Sequence, residues 1–204
     1  MPQADPRPAK LLEDFFPLLD TTVADNGVLD LACGSGRNGL FLARHNLPVV
    51  FADINSAALK KIFGELAGLN TGAQFWEVDF EDPESRPLAG KEYDAILVFN
   101  YLHRPLIPYL RQSLVAGGLL LYETFTVAQA TLGRPSNHEY LLKPGELRSW
   151  FEDWEILHYF EGDEGSQSGQ GGQGGQGGKG NEGDDDKPKR YYANLVARKP
   201  AGRD

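Results

Sequence analysis

The sequence predicts an α/β fold built on a mostly parallel sheet with helices on both faces. Apolar segments of strand length alternate with helical patterns from residue 28 to residue 123, which is typical of parallel strands connected by helices. A glycine-rich turn joins the first apolar segment to a helix, and polar residues directly follow several later segments. Ligands of such sheets bind beyond the carboxyl ends of the strands, so these polar residues are the candidate functional groups.

Each predicted element rests on a local pattern. Apolar residues at helical spacing predict a first helix over residues 11–19, and Ser56 is the predicted cap of a later helix. Gly117 and Gly118 are predicted to end another helix before the fifth strand. Strands are predicted at 28–31, 49–52, 73–78, 93–99 and 119–123, with helices at 36–44, 57–67 and 106–114.

The C-terminal part follows a different pattern. Two strand-like segments, 154–160 and 191–197, have no helical pattern between them, and this predicts an antiparallel pair. Residues 162–190 are rich in Gly and Gln and low in complexity, so a flexible loop is predicted between the last two strands. Residues 1–9 are rich in proline and predict a flexible tail, which leaves 10–204 as one domain.

Composition and charge argue against several classes of protein. The 204 residues carry a formal net charge of −9, which would repel nucleic acid and membranes, so neither is an expected partner. Cys33 is the only cysteine, which excludes an intrachain disulfide and favours a cytoplasmic protein. The N-terminal residues have no apolar signal-peptide region, no apolar segment reaches membrane-spanning length, and no metal site is predicted.

The most informative segment is the turn after the first predicted strand, where residues 28–42 read VLDLACGSGRNGLFL. Gly34 and Gly36 let the backbone turn tightly and approach a ligand closely. The second predicted strand ends in Asp53, whose carboxylate can accept hydrogen bonds from ribose hydroxyls. This pattern predicts a nucleotide-type cofactor. Because Gly34, Gly36 and Gly39 also match the dinucleotide fingerprint, a nicotinamide cofactor is one candidate.

Asp30 favours a different cofactor. It lies inside the first apolar strand, four residues before Gly34, where an unpaired buried carboxylate would be costly. A cationic ligand group would offset that cost, and S-adenosylmethionine carries both an ammonium and a sulfonium. The alternative is that Asp30 caps or braces the glycine turn and contacts no ligand.

With these residues in view, the chain resembles a known family. The LDLACGSGRNG turn, the Ala-Asp-Ile-Asn segment after it and the acid at Asp79 are similar to those of class I S-adenosylmethionine-dependent methyltransferases. The likeness covers most of residues 11–199. It is closer to the tellurite-resistance methyltransferase group, on three further segments: Gly36-Arg37-Asn38, Gly145-Glu146-Leu147 before Asp153-Trp154-Glu155, and Leu195-Val196-Ala197-Arg198-Lys199.

The resemblance implies a Rossmann-like, doubly wound seven-stranded sheet, mostly parallel with the last strand antiparallel. It also implies that Asp53 accepts from both ribose hydroxyls, that Ile54 packs on the adenine, and that Asp79 accepts from the adenine amino group. Asn100 would lie where the fourth strand meets the transferred methyl. Ala32 takes a place often held by glycine, and its methyl group is expected to be tolerated. The expected cofactor-binding residues are Asp30, Ala32, Cys33, Gly34, Gly36, Arg37, Asn38, Asp53, Ile54, Asp79, Phe80 and Asn100.

A polar segment, NYLHRP at residues 100–105, directly follows the fourth predicted strand and predicts an active-site loop. The predicted catalytic residues are Asn100, His103 and Arg104. His103 is a candidate general base, and Arg104 is a candidate bidentate partner of an anionic acceptor. The alternative is that Arg104 pairs with Glu123 and that His103 caps the following helix.

The predicted function is methyl transfer from S-adenosylmethionine to a small-molecule acceptor by a protein that is a monomer or homodimer. The tetrapeptide motifs of amino-methylating nucleic-acid enzymes are absent at position 100. The subgroup resemblance implies a tellurium or selenium oxyanion, or a thiol, as acceptor. Three alternatives stay open: a nicotinamide-dependent reductase, a non-catalytic sensor or partner subunit that binds S-adenosylmethionine, and a methyltransferase acting on a protein.

Overall fold

The structure is a computed structural model that describes residues 7–164 and 190–201. Most of the predicted tail at 1–9 and of the predicted loop at 162–190 lies outside the described residues, and both stay predictions. Among the residues described, none of the helices has the length and apolar character needed to cross a membrane.

A seven-stranded sheet lies at the centre of the described chain, in the order β3-β2-β1-β4-β5-β7-β6. The strands are β1 Val28–Leu31, β2 Val49–Asp53, β3 Gln74–Glu77, β4 Tyr93–Phe99, β5 Leu114–Phe125, β6 Glu155–Asp163 and β7 Tyr191–Arg198. Strands β1 to β5 pair in parallel, and β7 is antiparallel to both β5 and β6. The predicted fold class is therefore confirmed, including its antiparallel last strand.

The helices divide between the two faces of the sheet. They are α1 Lys10–Thr22, α2 Arg37–Arg44, α3 Ser56–Glu65, α4 Ile107–Ser113 and α5 Glu146–Ser149. The apolar sides of α1, α2 and α3 pack with Val28 and Leu97 in one buried cluster, and α4 and α5 pack with Ile96 and Leu120 in another. Helices on both faces explain why the central strands are mainly apolar.

Strand β4 shows this burial most clearly, because all seven of its residues are buried. Side chains alternate between the two faces of a strand, so Ala95 and Leu97 join one apolar cluster while Ile96 and Val98 join the other. The polar member, Asp94, lies at the amino end of the strand. Its carboxylate accepts hydrogen bonds from the backbone N–H groups of the preceding loop, those of residues 24, 26 and 27.

The start of β5 differs from the prediction. β5 begins at Leu114 and continues through Gly117 and Gly118, where the end of a helix was predicted. The cause is a long-range pairing with the C-terminal segment. The Gly117 N–H donates to the Lys199 carbonyl and the Lys199 N–H donates to the Gly118 carbonyl, each at 2.9 Å.

The predicted cap of α3 is also wrong by one residue. Asn55, and not Ser56, has the extended backbone of a capping residue, and its Oδ1 accepts from the Ala58 N–H at 3.1 Å. Ser56 is already helical. Asn is at least as good a cap as Ser, because its side-chain oxygen reaches the free N–H groups of the first turn.

Polar residues gather where β1, β2, β4 and β5 end at the same edge. The parallel register sets Leu31 beside Ala52 on one side and beside Val98 on the other, so residues at the ends of these strands are neighbours. The edge residues include Asp30, Asp53, Asn100 and Glu123.

Candidate active site

The turn between β1 and α2 forms the floor of the candidate site. Gly34 and Gly36 have φ angles of +56° and +75°, in the left-handed region that favours glycine. A Cβ on Gly36 would lie 2.5 Å from Ile62 Cδ1, whereas a Cβ on Gly34 would meet nothing within 4 Å. Gly36 is therefore needed for packing against α3, and Gly34 leaves open space above the turn.

Two residues with side chains are left-handed as well. Ala32 has a φ of +50° and Asn100 a φ of +55°, a conformation that costs about 1–2 kcal/mol for a residue with a Cβ. This explains why glycine suits the position of Ala32. The Asn100 N–H donates to the Glu123 carbonyl at 2.8 Å, which fixes Asn100 at the end of β4. Strained backbone of this kind concentrates at functional sites.

Asp53 ends β2 and holds the glycine turn in place. Its Oδ2 accepts from the Gly34 N–H at 2.7 Å, and its Oδ1 accepts from the Asn55 N–H at 2.8 Å. Each carboxylate oxygen can accept two hydrogen bonds, so both oxygens keep one acceptor site. Asp53 thus holds the backbone at Gly34 and Asn55. It also keeps the free acceptor sites expected of a residue that binds ribose hydroxyls.

Asp30 is the buried charge of the site, at 3% exposure. Its Oδ2 accepts from the Gly39 N–H at 2.9 Å, so the element that Asp30 braces is α2 and not the glycine turn of the stated alternative. Burial raises the pKa of the Asp30 carboxyl to about 7, although the Gly39 N–H opposes part of this rise. Arg37 also lowers the pKa through its charge, but no hydrogen bond joins it to Asp30 in the described structure.

Two adjoining cavities form a cleft across the ends of β1, β2 and β4. The first has a volume of about 290 Å³, and its walls include Asp30, Ala32, Cys33, Gly34, Arg37, Asn38 and Asn100. The second has a volume of about 460 Å³, and its walls include Ala32, Asp53, Ile54, Asp79, Phe80, Asn100 and Tyr101. The cleft therefore brings together every predicted cofactor-binding residue except Gly36, which packs against α3.

The walls of the second cavity combine an apolar surface with acceptors. Ile54 is 63% exposed, which is unusual for a large apolar side chain and leaves its surface available to a flat ring. Asp79 is exposed, and its Oδ1 accepts from the Glu81 N–H at 2.8 Å. Phe80 is buried and packs edge-on against Trp76, so its ring belongs mainly to the core.

Tyr101 is a wall residue of the second cavity that sequence analysis did not single out. Its hydroxyl is buried and makes no hydrogen bond of good geometry among the described residues, but the Glu81 carboxylate is close enough to act as its acceptor. Burial, then the charge of Glu81 and its action as acceptor, and then the charge of Asp79 raise the pKa of Tyr101 above its ordinary value, so the hydroxyl stays a donor.

Cys33 contributes shape to the first cavity and no reactive thiolate. Burial, together with the Asp30 and Asp53 carboxylates, raises the pKa of the Cys33 thiol well above its ordinary value. The thiolate is the nucleophilic form of cysteine. Cys33 is therefore protonated near neutral pH, in agreement with its predicted role as a small residue beside the turn.

Asn38 ties α1 to this site. Its Oδ1 accepts from the Ala9 N–H at 2.9 Å, and both residues are buried. Because α1 begins at Lys10, this bond fixes the start of α1 beside α2. The side-chain amide of Asn38 keeps its N–H donors for other partners, since none of the described residues accepts from them.

The alternative for Arg104, a pairing with Glu123, is wrong. Arg104 instead makes a bidentate ion pair with Glu146, at 2.8 Å for both its Nε and its Nη2. Its Nη groups also donate to the carbonyls of Glu139 and Leu141. With Nε and both Nη groups engaged, Arg104 braces the segment after β5, and its predicted hold on an anionic acceptor is not supported.

His103 is half-buried and precedes the short 3₁₀ helix at Arg104–Leu106, but its side chain makes no capping hydrogen bond. The capping alternative is therefore wrong. His103 is also absent from the walls of the two cavities that form the cleft, so the structure does not bring it together with the other predicted site residues.

Gly39 allows α2 to approach the sheet closely, and Gly39→Ala is expected to lower the free energy of unfolding by about 1–3 kcal/mol. The new Cβ would lie 2.4 Å from Phe51 Cε1 and 2.7 Å from Asp30 Oδ2, so α2 would have to move away from the sheet. Denaturant unfolding measures the change. The matched control is Gly64→Ala in α3, where a Cβ would meet nothing within 4 Å and stability should rise by about 0.5–1 kcal/mol. Equal effects of the two variants would contradict the packing role of Gly39.

Comparison with known proteins agrees with this geometry. A family model described as a methyltransferase domain matches residues 29–120. The probable S-adenosyl-L-methionine-dependent methyltransferase TehB of Haemophilus influenzae is 27% identical over 173 residues, which are 73% of this chain and 57% of that protein. The chain spans about half the length of the curated relatives it matches.

Solved structures show the same fold. The crystal structure of TehB from Haemophilus influenzae aligns with a TM-score of 0.66 and 22% identity, over 92% of this chain and 62% of that one. Magnesium protoporphyrin IX methyltransferase from Synechocystis PCC 6803, crystallised with bound SAH, aligns with a TM-score of 0.58 and 17% identity, over 90% of this chain and 78% of that one. The family match and the likeness to TehB agree with the resemblance seen in the sequence: residues 29–120 match a methyltransferase domain, and the chain has the fold of solved S-adenosylmethionine-dependent methyltransferases.

Proposed function

We propose that this protein is an enzyme that transfers a methyl group from S-adenosylmethionine to a small-molecule acceptor by in-line displacement. The observation that carries the proposal is Asp30, a buried carboxyl without a hydrogen-bonded cation among the described residues, whose pKa burial raises to about 7. An ammonium or sulfonium in the adjoining cavity would offset the burial of its charge. A nicotinamide cofactor would bring phosphates to this turn, which the same carboxylate repels.

The first cavity suits the methionine part of the cofactor. We assign Asp30 to its cationic groups and Arg37 to its carboxylate, because a guanidinium binds a carboxylate in a planar, bidentate way. Gly34 has nothing within 4 Å of where a Cβ would lie, so a ligand can approach its backbone. Ala32 and Cys33 complete the wall with small side chains, and Asn38 offers the free N–H donors of its side-chain amide.

The second cavity suits the nucleoside part. We assign the two ribose hydroxyls to Asp53, whose oxygens each keep one acceptor site after binding the backbone. Ile54 would cover one face of the adenine, and Asp79 would accept from its amino group. The Tyr101 hydroxyl adds a donor at the same wall. Phe80 supports the cavity from the core.

When bound, S-adenosylmethionine would supply an activated methyl group on a sulfonium that is itself the leaving group. The residues of the chain then have to hold the acceptor in line and exclude water. Asn100 lies on the walls of both cavities, which supports our assignment of Asn100 to the position beside the methyl group. The bond between Ala9 and Asn38 sets the start of α1 beside a wall residue of the first cavity.

A small acceptor is favoured over a macromolecule. The net charge of −9 disfavours nucleic acid as the acceptor. The sequence also contains no basic or aromatic-rich arm of the kind that binds RNA. Oxyanions of tellurium or selenium and thiols are the acceptor classes that the family resemblance implies.

Calorimetric titration with S-adenosylhomocysteine tests the cofactor assignment, with NAD and NADP titrated in parallel. We expect micromolar binding of S-adenosylhomocysteine and none of the other two. Binding of a nicotinamide cofactor alone would contradict the proposal. S-adenosylhomocysteine binding without turnover on small acceptors would favour the sensor alternative, and transfer of labelled methyl groups to proteins of a lysate would favour protein methylation.

A further inference from the structure

A larger cavity, which we call the α1 chamber, adjoins the cleft on the side of β5. Its volume is about 910 Å³, and it lies between the start of α1 and the polar residues of β5, β6 and β7. Arg37 lines both the α1 chamber and the first cavity of the cleft. A second connection is the hydrogen bond from the Asn100 N–H to the Glu123 carbonyl, because Asn100 lines the cleft and Glu123 lines the α1 chamber. A molecule in the chamber is therefore a neighbour of the cofactor position.

Three polar side chains from three different strands form a chain on the wall of the α1 chamber. Glu123 is 6% exposed and Asn194 is 1% exposed, and both lie in strands that are otherwise mainly apolar. Asn194 Nδ2 donates to Glu123 Oε2 at 3.2 Å, and Asn194 Oδ1 lies 3.0 Å from His158 Nε2. Arg190 lies 3.6 Å from the other oxygen of Glu123. Buried polar groups of this kind need each other as partners.

The order of donors in this chain follows from Glu123. An ionised carboxylate only accepts, so Asn194 must turn its Nδ2 group toward Glu123 and its Oδ1 toward His158. His158 Nε2 must then carry a hydrogen to donate to that oxygen. In a neutral imidazole the hydrogen lies on one nitrogen only, so Nδ1 of His158 is the basic nitrogen. None of the described residues makes a hydrogen bond to His158 Nδ1, and the ring of Phe15 packs beside it at 5.6 Å between centroids.

We propose that the methyl acceptor binds in the α1 chamber and that it is a thiol, whose proton passes to His158 Nδ1. The inference rests on the proposed methyl transfer and names its acceptor class. The sulfur–hydrogen bond of the thiol breaks, the proton goes to His158, and the sulfur electron pair forms the bond to the methyl carbon. The electron pair of the broken carbon–sulfonium bond stays on the sulfur of the cofactor product, and the imidazolium returns its proton to water.

A thiol fits this base better than the other nucleophiles. The ordinary pKa values of imidazole and thiol groups differ by about two units, so the transfer of the proton is nearly balanced. An alcohol is a far weaker acid than a thiol. An oxyanion of selenium or tellurium needs no base, so it would leave the basic nitrogen of His158 without a role.

The test compares two thiols at pH 7: 2-mercaptoethanol, which is protonated, and thionitrobenzoate, which is already ionised. In His158→Gln, kcat/KM for 2-mercaptoethanol should fall at least about a hundredfold, while kcat/KM for thionitrobenzoate should change less than about threefold because no proton needs to leave. The control is His45→Gln, which replaces an exposed histidine that packs on Phe16 and Phe41 outside the chamber and should leave both rates unchanged.

Glu123→Gln provides a second variant if His158→Gln folds poorly. It frees the Asn194 amide to turn, so kcat/KM for 2-mercaptoethanol should fall about tenfold. The value for thionitrobenzoate should again change less than about threefold. Equal losses for both thiols would overturn the role of His158. Wild-type protein that binds S-adenosylhomocysteine but methylates neither thiol would overturn the acceptor class and leave the cofactor assignment standing. Failure to bind S-adenosylhomocysteine would overturn the proposed function itself.

Discussion

Asp53→Ala is expected to weaken the binding of S-adenosylhomocysteine at least about tenfold, because a charge-assisted, two-oxygen contact with the ribose is lost. The free energy of unfolding should fall as well, by about 2–3 kcal/mol, because the N–H groups of Gly34 and Asn55 lose their acceptors. Calorimetric titration and denaturant unfolding measure the two effects separately.

A second buried aspartate supplies the control for Asp53→Ala. Asp94 is 5% exposed and also accepts several backbone N–H groups, but at the amino edge of the sheet. Asp94→Ala should therefore destabilise the fold by a similar amount and leave the affinity for S-adenosylhomocysteine within about twofold. If both variants lost affinity equally, the loss would reflect instability and Asp53 would have no direct contact with the cofactor.

Asp30→Asn is expected to make the ligand-free protein more stable, by roughly 2–4 kcal/mol at pH 8. Burial raises the folded pKa of Asp30 from 3.8 to about 7, and each unit of pKa corresponds to about 1.4 kcal/mol. The folded state therefore holds this proton more tightly than the unfolded chain. The wild-type protein loses stability as pH rises from about 4 to about 7 and no further above that, and asparagine removes this loss.

The same substitution should weaken the binding of S-adenosylhomocysteine, because a neutral amide does not attract its ammonium group, which is the cation that this ligand shares with S-adenosylmethionine. At pH 8 the affinity of Asp30→Asn for S-adenosylhomocysteine should fall at least about tenfold. In wild-type protein the dissociation constant should rise by up to about tenfold per pH unit below pH 7, as Asp30 takes up its proton. Titrations at pH 6, 7 and 8 check both statements. If the variant kept wild-type affinity at pH 8, Asp30 would have no contact with the cofactor, and its role would be limited to the hydrogen bond with Gly39.

The fold could be predicted because its cues are local in the chain. Apolar segments of strand length, and a glycine turn between the first strand and α2, determine the order of elements without knowledge of the tertiary structure. The start of β5 could not be predicted in the same way. Gly117 and Gly118 resemble a helix end, and only their pairing with Lys199, 82 and 81 residues later, makes them part of a strand.

The same contrast between local cues and long-range contacts applies to the candidate site. Asp30 stood out because a carboxylate inside an apolar strand requires a partner, and the structure confirms its burial. The ion-pair partner of Arg104 was missed because Glu146 lies 42 residues away, and nothing local distinguishes that acid from Glu123. The Glu123–Asn194–His158 chain was missed for the same reason, since its members are 71 and 36 residues apart. Each of these three residues is nevertheless a polar residue inside a strand, which is the signal that identified Asp30.

The placement of β7 between β5 and β6 has a consequence for how this protein can diversify. Asp163 and Tyr191 are partners in the β6–β7 ladder, and the Glu164 N–H donates to the Arg190 carbonyl at 3.0 Å. The two ends of any insert at this point are therefore clamped together by the sheet, and doubling its length costs only about 0.6 kcal/mol. Because the junction opens at the edge that carries Glu123 and Arg190, new segments can be exchanged there, next to the proposed acceptor site, while the half of the molecule that carries the cleft stays unchanged.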